Sequence, residues 1–439
     1  MDAVYYKPEF AAIKIDLKKT RYPIKQIQDF AKVICGPFGS SIQVKDYQAT
    51  GIPLVRIANI GNDQQLIKEN IIFINEFLAS KLRSYKVRKD DLVISQRGTL
   101  GLTAKIPPFF DGAIISANFI AIKELYGVSP EFLKIFLNST YGQIQLSQKT
   151  SGQVQTKITT DDIKTLLVPI PPSSIQNQII KAMESAYNQK KQKEAEARRL
   201  LASIDGYVLN ELGIKVLELE DKKCFVVHSD KLNSILSPYF FLSTAKSKKD
   251  FVQLKSIAEI NPSRKINNLE LDSIVPYIGL PETDNFKVKN ILERPYKEVK
   301  GRKIIKEDDI LFARIEPSIF NKKYIFVNDL KGYDYAFTST EFYIVKARKN
   351  INPEFLFHIF YTTPVYNQVL GKTTGSTGRR RLDKGIFEAL LIPLPPLEIQ
   401  NKIADEVKRR ISKAERLKEE ARKIIEEAKK KVEKMILAG

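Results

Sequence analysis

The sequence contains few of the residues from which catalytic and metal centres are commonly built. Among 439 residues there are two cysteines, Cys35 and Cys224, and two histidines, His228 and His358. Because both cysteines lie beside apolar residues, we expect buried, reduced thiols and no disulfide framework. Cys224 and His228 are four positions apart, but two ligands do not make a zinc site. We therefore expect no metal and no cofactor on this chain.

Long apolar runs are also missing. No stretch of 18 apolar residues could span a bilayer, and the first residues, MDAVYYKPEF, have no signal-peptide core. These absences predict a cytoplasmic protein without a membrane partner.

Motifs of two enzyme classes are absent as well. An adenine methyltransferase would carry an NPPY-like tetrapeptide, and NPSR at Asn261 differs from it at two positions. A translocase would carry GxxxxGK[ST], but the Gly-Lys-Thr at Gly371 has Tyr366 where the first glycine belongs. We expect a non-catalytic protein; the alternative is a nuclease centre hidden among its many carboxylates.

Positive charge is abundant. The chain has 71 Lys and Arg against 51 Asp and Glu, a formal net charge of +20. A surplus of this size is typical of proteins that bind polyanions, which makes nucleic acid the first partner to consider. The alternative is a scaffold whose charge has no role in DNA binding.

An internal repeat determines the predicted architecture. VPIPPSSIQNQI from Val168 and IPLPPLEIQNKI from Ile392 are identical at seven of twelve positions, with Gln176 and Gln400 224 residues apart. SANFIAI and STEFYIV, from Ser116 and Ser339, recur in nearly the same register. The chain is therefore a tandem duplication.

A long polar segment without proline follows each repeat and predicts a long helix. Ser173 and Gln176 have the spacing of a capping box at the start of the first helix. Apolar residues three or four apart form a stripe on each helix, and the two stripes are expected to face each other in an antiparallel coiled coil. The alternative is two helices lying on their own domains. The residues expected at this helix interface are Ile175, Ile179, Leu201, Val208, Ile399, Ile403, Val407 and Ile411.

Each half also contains short apolar runs that read as strands, such as DLVIS from Asp91 and DILFA from Asp309. EFLKIFL from Glu131 and EFLFHIFY from Glu354 read as short helices. The predicted fold class is mixed α/β (α+β): two tandem domains and two long helices, with pseudo-two-fold symmetry. The predicted divisions are 1–172, 173–215, 216–396 and 397–439.

Several segments, in order and partly duplicated, carry a family resemblance: GPFGSSI from Gly36, GIPLVRIANI from Gly51, SQRGTLG from Ser95, TGSTGRRRLDKGIFEALLIPLPPLEIQNKIA from Thr374, and its weaker counterpart TSGQVQTKITTDDIKTLLVPIPPSSIQNQI from Thr150. With them, the chain resembles the specificity subunits of type I restriction-modification systems over essentially its whole length.

The resemblance implies a function and a set of partners. Each globular half would be a target-recognition domain that reads one part of a bipartite site in double-stranded DNA. The helices would fix the distance between the halves and bind two methyltransferase (M) subunits. Endonuclease/translocase (R) subunits would complete the complex, and S-adenosylmethionine and ATP would bind only to these partners. A stand-alone DNA reader without enzyme partners is a further alternative.

Two loops, one in each half, are candidate DNA contacts. In the second half the loop supplies hydrogen-bond donors and cations for phosphates and bases from Thr374, Ser376, Thr377, Arg379, Arg380 and Arg381, with Gly375 and Gly378 allowing close backbone approach. The alternative is a solvated charge cluster or a methyltransferase contact. The weaker first-half counterpart comprises Ser151, Gln153, Gln155 and Lys157, where Gln could pair with adenine.

Segments that follow two strands form a second candidate surface. Arg97, Gly98, Thr99 and Lys105 in the first half align loosely with Arg314, Ser318 and Lys322 in the second. Arginine is the commonest reader of guanine, but it is equally common in surface ion pairs. Weaker candidates are Ser40, Tyr47, Arg56, Arg264, Lys265 and Tyr277.

Overall fold

A computed structural model describes the chain at residues 13, 15–17, 19–61, 63–97, 99–150, 157–214, 251–284, 286–376 and 380–437. Within it the chain forms two compact units. Unit 1 comprises Met1–Glu194 and Lys418–Gly439, and unit 2 comprises Ala195–Leu417. Each unit thus contains one globular head together with a part of both long helices. The division into 1–172, 173–215, 216–396 and 397–439 stays a prediction.

The strands of unit 1 form three sheets. They are β1 (Ile24–Gln26), β2 (Lys32–Cys35), β3 (Ile52–Val55), β4 (Ile72–Ile74), β5 (Leu92–Ser95), β6 (Thr103–Lys105), β7 (Ile114–Ile115), β8 (Phe119–Lys123) and β9 (Leu167–Pro169). The main sheet is antiparallel with order β2-β8-β5-β6, beside a three-stranded sheet β4-β3-β7 and a pair β1-β9. Apolar side chains of β5 and β8 are fully buried in the core because this sheet is covered on both faces.

Unit 2 repeats this arrangement with additions. Its strands are β10 (Phe251–Gln253), β11 (Ala258–Ile260), β12 (Ile274–Ile278), β13 (Thr283–Asp284), β14 (Lys287–Val288), β15 (Leu292–Pro295), β16 (Lys303–Ile305), β17 (Asp309–Ala313), β18 (Tyr324–Phe326), β19 (Ala336–Thr338), β20 (Phe342–Ala347), β21 (Thr373–Thr374), β22 (Arg381–Leu382) and β23 (Leu391–Pro393). The main sheet has order β11-β20-β17-β18, beside β15-β12-β19-β16 and the pairs β10-β23, β13-β14 and β21-β22. The same strand order in both main sheets is the structural form of the sequence repeat.

The helices include the ones that the sequence predicts. They are α1 (Glu76–Lys81), α2 (Pro130–Leu137), α3 (Thr140–Thr150), α4 (Thr160–Lys164), α5 (Ser173–Glu211), α6 (Leu254–Ile257), α7 (Tyr296–Val299), α8 (Pro353–Ile359), α9 (Thr363–Asn367), α10 (Lys384–Glu388) and α11 (Leu397–Leu437). The two long helices, α5 and α11, and the short helices α2 and α8 are confirmed, as are the strands β5 and β17. The mixed α/β class is therefore confirmed.

The two long helices pack antiparallel within unit 1. Ile179 and Met183 of α5 share a buried cluster with Val432 and Ile436 of α11. Lys193 lies 2.6 Å from a carboxylate oxygen of Glu420. Ile175 packs against the same cluster. Residues of α2 belong to this cluster too, so the stripes contact both each other and the head.

The same pairing continues along the helix segments of unit 2. The Lys402 ammonium donates to Glu211 at 2.9 Å, and the Arg410 guanidinium donates to the Ser203 hydroxyl at 2.9 Å. Val208, Ile403 and Val407 are fully buried, with Ile399 and Ile411 packed against their cluster.

Further along, Ala197, Ala414 and Leu417 form a small buried cluster with Leu201 packed against it. This cluster consists of helix residues alone, so here the stripes meet directly. An antiparallel helix pair is therefore present in each unit. The coiled-coil geometry and the pseudo-two-fold axis stay predictions.

Buried glutamines connect each long helix to its head in the same way. Gln176 accepts a hydrogen bond from the Ser129 N–H at 2.9 Å and donates to the Pro171 carbonyl. Gln400 accepts from the Asn352 N–H at 2.9 Å and donates to the Pro395 carbonyl. The sequence suggests a capping box at Gln176, whereas both ends of its amide are directed at the head. Since an unpaired buried amide is costly, these glutamines fix the angle at which each helix leaves its head.

The described part of the chain has neither a membrane-spanning helix nor a cluster of metal ligands. No helix there is both long and apolar enough to cross a bilayer. No group of three or more His, Cys, Asp or Glu side chains there could hold a metal ion. Cys224 and His228 lie outside the described residues.

Ile403→Ala tests the helix packing in unit 2. Ile403 is fully buried, so the substitution leaves a cavity and should lower the free energy of unfolding by about 2–5 kcal/mol. Leu397→Ala, in the same helix at 44% exposure, should change it by less than about 0.5 kcal/mol. Urea unfolding followed by circular dichroism measures both. Equal losses in the two variants would contradict the assigned packing.

Candidate nucleic-acid interface

In unit 1, several loops meet at one end of the main sheet. Cys35 at the end of β2 pairs with Ile120, and Ser95 at the end of β5 pairs with Phe119 at the start of β8. The segments after β2 and β5 and before β8 therefore emerge together. Ile158 donates its N–H to the Gln96 carbonyl at 3.2 Å, which brings the chain after α3 to the same place. We call this the edge of unit 1.

Gly36 has a steric role at this edge. Its N–H donates to the Phe119 carbonyl at 2.8 Å. A Cβ at this position would lie 2.2 Å from the Ser116 carbonyl oxygen. No side chain fits here, which explains a glycine at the start of the GPFGSSI segment.

The edge of unit 2 forms in the same way. Ala313 at the end of β17 pairs with Phe342 at the start of β20. Leu382 donates its N–H to the Arg314 carbonyl at 2.8 Å, and Glu316 donates to the Arg380 carbonyl at 3.0 Å. The sequence treats the Thr374–Arg381 loop and the Arg314–Ser318 segment as separate surfaces. The structure joins them into one.

A bidentate ion pair lies at the centre of the edge of unit 2. The Arg381 side chain donates from Nε and from one terminal nitrogen to the two oxygens of Glu341, at 2.9 and 2.7 Å. The hydrogen bonds from Arg381 hold the pKa of the Glu341 carboxyl below its usual range. Arg380 is exposed, donates to the Thr373 carbonyl at 2.9 Å and lies 3.8 Å from Glu316.

Two more cations surround the ring of Tyr343 beneath this ion pair. The Arg314 guanidinium lies 4.9 Å and the Lys303 ammonium 5.6 Å from the ring centre. Lys303 donates to the Asn261 side chain at 2.8 Å and to the Phe342 carbonyl at 2.7 Å. Burial, and then the charge of Arg314, lower the pKa of Lys303 from 10.5 to about 8. Tyr343 is itself fixed by a hydrogen bond from its hydroxyl to the Leu382 carbonyl at 2.7 Å.

The remaining loop residues of unit 2 are placed in part. Thr374 and Ser376 are exposed, and Gly375 has a φ of +121°, a conformation that side chains disfavour. Ser318 is half-buried in the connection between β17 and β18. Thr377, Gly378 and Arg379 lie outside the described residues.

The unit 1 candidates are placed in part as well. Arg97 and Thr99 are exposed in the loop after β5, and Lys157 is half-buried just before Ile158. Gly98, Ser151, Gln153 and Gln155 lie outside the described residues.

The hydrogen-bond register changes one proposed correspondence. Gln96 donates its N–H to the Asn118 carbonyl, as Arg314 does to the Glu341 carbonyl, each at 2.9 Å. Gln96, and not Arg97, is therefore the positional counterpart of Arg314. Its side chain is 2% exposed and its amide bonds to the Ala117 carbonyl, so it supports the loop from inside.

Two predicted cations lie away from the edges or inside the protein. Lys105 pairs across the sheet with Leu92, at the opposite end of β5, and its ammonium is within 3.2 Å of Asp90 and Glu131. Arg264, a weaker candidate, makes a two-pronged ion pair with Asp309, which is 1% exposed. Lys105 lies at the far end of the sheet and Arg264 is held inside the protein by Asp309, so neither cation joins the loop residues.

Sequence reasoning missed three residues of the unit 2 edge, namely Glu341, Tyr343 and Lys303. The EFYIV run that contains two of them reads only as a strand. Their role follows from the loop that folds over this strand, and no local sequence pattern indicates that loop's position.

Comparison with known proteins places both halves in one family. The type I restriction modification DNA specificity domain matches residues 21–199 and again residues 246–427. The chain belongs to this family. The resemblance drawn from the sequence, and the duplication on which it rests, are thereby confirmed.

Curated relatives match over a shorter span. A 164-residue stretch, 37% of this chain, is 24% identical to the type I restriction enzyme EcoBI specificity subunit of Escherichia coli and covers 34% of it. A 163-residue stretch, 35% of this chain, is 28% identical to the EcoAI specificity subunit of the same organism and covers 26% of it. The matched region thus spans about a third of these relatives or less.

The fold has a counterpart among solved structures. A chain solved in a study of complex assembly and conformational transition of the type I R-M system superposes with a TM-score of 0.53. The match covers 95% of this chain and 98% of that chain at 16% sequence identity. The two chains therefore share a fold over nearly their full lengths.

Lys303→Met tests the electrostatics of the unit 2 edge. Because its folded pKa is lowered, the unfolded chain binds the proton more tightly between about pH 8 and 10.5, and stability rises with pH in that window. Below pH 8 Lys303 is protonated in the folded chain, so its partly buried charge lowers the free energy of unfolding by its full amount. In urea titrations the wild type should gain stability relative to the Met variant as the pH is raised from 8 to 10. A constant difference, or a change in the other direction, would contradict this assignment.

Proposed function

We propose that this member of the specificity family is a non-catalytic DNA reader. It recognises a bipartite target and directs adenine methylation and cleavage by other subunits of a type I restriction-modification complex. One observation carries the proposal. Each unit has its own four-stranded main sheet, and in both units polar and cationic loops meet at the corresponding end of that sheet. The net charge of +20 favours a polyanionic partner for these edges.

The unit 2 edge offers the two kinds of contact that sequence-specific DNA binding needs. Exposed Arg380, Thr374 and Ser376 suit phosphate oxygens, which set position and affinity. Arg381 and Arg314, held by Glu341 and Tyr343, have fixed orientations suited to base edges.

The unit 1 edge differs in chemistry. Arg97, Thr99 and Lys157 are its candidate contacts, with Asn118 and Gln96 standing where unit 2 has Glu341 and Arg314. Two edges of different composition favour a target whose halves differ in sequence.

The long helices suit contacts with partner subunits. We propose that they bind two methyltransferase (M) subunits and, through the complex, the endonuclease/translocase (R) subunits. S-adenosylmethionine and ATP would bind to those partners and not to this chain. Both named relatives are specificity subunits of type I restriction enzymes, which favours this assignment. Such a protein would act in the cytoplasm, where the DNA is.

Arg380→Ala tests phosphate contact at the unit 2 edge. Loss of one neutralised phosphate should reduce the slope of log affinity against log salt by about 0.9 and weaken binding to all duplexes equally. Lys297→Ala, which removes an exposed cation of α7 that pairs with Asp272, is the matched control and should leave the slope unchanged. Fluorescence anisotropy with random and target duplexes measures both. An Arg380 variant with the wild-type slope would remove this residue from the interface, and a wild type without DNA affinity would end the proposal.

Lengthening both long helices tests their role as a ruler. Four residues inserted after Glu194 in α5, with four after Leu417 in α11, add about 6 Å and should widen the unread gap between half-sites by about two base pairs. Methylome sequencing of a host that carries the intact operon reports both half-sites and the gap. The control is the same insertion in the exposed turn after Lys331. An unchanged gap in an active helix variant would overturn the ruler role.

A further inference from the structure

Arg314 lies on a rigid platform at the edge of unit 2. Its N–H donates to the Glu341 carbonyl at 2.9 Å, and its carbonyl accepts from the Leu382 N–H at 2.8 Å. Its guanidinium lies 4.9 Å from the ring centre of Tyr343. That ring is buried, stacks on Phe387 with the ring centres 4.7 Å apart, and is held by a hydrogen bond from its hydroxyl to the Leu382 carbonyl. Both the main chain and the side chain of Arg314 are therefore restrained.

The guanidinium of Arg314 makes no hydrogen bond and no ion pair with the residues that the structure describes, and its Nε is buried without an acceptor. Two carboxylates of the edge are engaged by other side chains. Glu341 binds Arg381, and Glu316 accepts from the Thr373 hydroxyl. Because the side chain is half-buried with Nε enclosed, it meets solvent through its two terminal nitrogens. Donors that are held in place without an acceptor suit an acceptor from another molecule.

Two other arginines show how the same arrangement is completed inside the protein. Arg56 and Arg294 also stack on tyrosine rings, 5.7 and 5.4 Å from the ring centres, and their Nε atoms are likewise buried without a partner. Arg56, however, donates from a terminal nitrogen to the Asn70 carbonyl at 2.8 Å. Arg294 donates from a terminal nitrogen to the Glu298 carboxylate at 3.2 Å. In the described part of the chain, Arg314 differs from both because its terminal nitrogens have no acceptor.

The end of an arginine side chain matches one edge of guanine. Its two terminal nitrogens donate in parallel to O6 and N7 in the major groove, whereas adenine presents an amino donor beside N7. Phosphate oxygens also accept from arginine, but contacts to them carry no sequence information and set only position and affinity. A guanidinium whose orientation is already fixed gains most at a base edge, since little side-chain freedom remains to be lost on binding.

We propose that Arg314 reads one guanine in the half-site bound by unit 2. Its terminal nitrogens donate to O6 and N7 of that base, and Tyr343 is the positioning residue that holds the guanidinium in place. This inference rests on the proposed function, since it assigns a base to an edge already proposed to meet DNA. Unit 1 does not repeat this reader at the corresponding position, because Gln96 stands there and bonds its amide to the Ala117 carbonyl inside the protein.

The test is selection of bound duplexes from a library randomised across both half-sites, with the full chain and its variants. Arg314→Lys keeps the positive charge but loses the two parallel donors, so it should relax a single guanine position by roughly ten- to hundred-fold. All other positions and the slope of log affinity against log salt should stay near wild type, because the charge is retained.

Substitutions of Tyr343 test the platform beneath the arginine. Tyr343→Leu removes the ring and should relax the same guanine position, whereas Tyr343→Phe keeps the ring and should retain the preference. Because both residues act through one contact, the double variant Arg314→Lys with Tyr343→Leu should lose no more discrimination than the more affected single variant. Arg294→Lys is the matched control. It alters a stacked arginine whose end is already bound by Glu298, so it should select the wild-type target.

The outcomes separate this inference from the proposed function. A wild type that selects a split target, with Arg314→Lys weakening every sequence equally or changing nothing, overturns the reading role and leaves the DNA-binding role intact. Relaxation by Tyr343→Leu at a different position overturns the platform. Where Tyr343→Leu fails to fold by circular dichroism, Arg314→Lys still decides the reading role. A wild type that selects no sequence at all overturns the proposed function itself.

Discussion

Each head depends on helix segments from two distant parts of the chain. In unit 1 the buried cluster under α2 includes Ile179 of α5 and also Val432 and Ile436 of α11. In unit 2 the core contains Val208 of α5 and Ile403 of α11. Burial of these side chains is worth about 1.5–3 kcal/mol each, a large share of the net stability of a domain. Both long helices are therefore part of the hydrophobic core of each unit and do not merely connect two heads that are stable without them.

Convergence of the loops follows from strand register. Antiparallel pairing of Ser95 with Phe119 in unit 1, and of Ala313 with Phe342 in unit 2, brings loops far apart in sequence to one sheet end. Most side chains of the buried strands are apolar and belong to the core, which leaves the loops free to differ while the sheet is retained. Two readers of different composition can thus share one scaffold.

The sequence predicts the repeat, the long helices, the short helices at EFLKIFL and EFLFHIFY and the strands, because each has a local pattern. It does not predict the edge, because the ion pair of Arg381 with Glu341 joins residues 40 positions apart. It also places Lys105 with Arg97, although antiparallel pairing sets Lys105 opposite Leu92 at the start of β5, whereas Arg97 follows the end of β5. Gln176 shows the same limit: local spacing suggests a cap, whereas tertiary contacts with Ser129 decide its role.

The packing of α11 against the first head has a consequence for biosynthesis. A ribosome releases residues 21–170 long before it makes Val432 and Ile436, so the nascent first head must persist with part of its apolar surface uncovered. The second head, by contrast, packs against Val208 of α5, which is already synthesised, and against Ile403 of α11, which follows it directly. Premature termination between Val407 and Val432 of α11 would consequently destabilise the head that is synthesised first, although the truncation lies at the end of the chain.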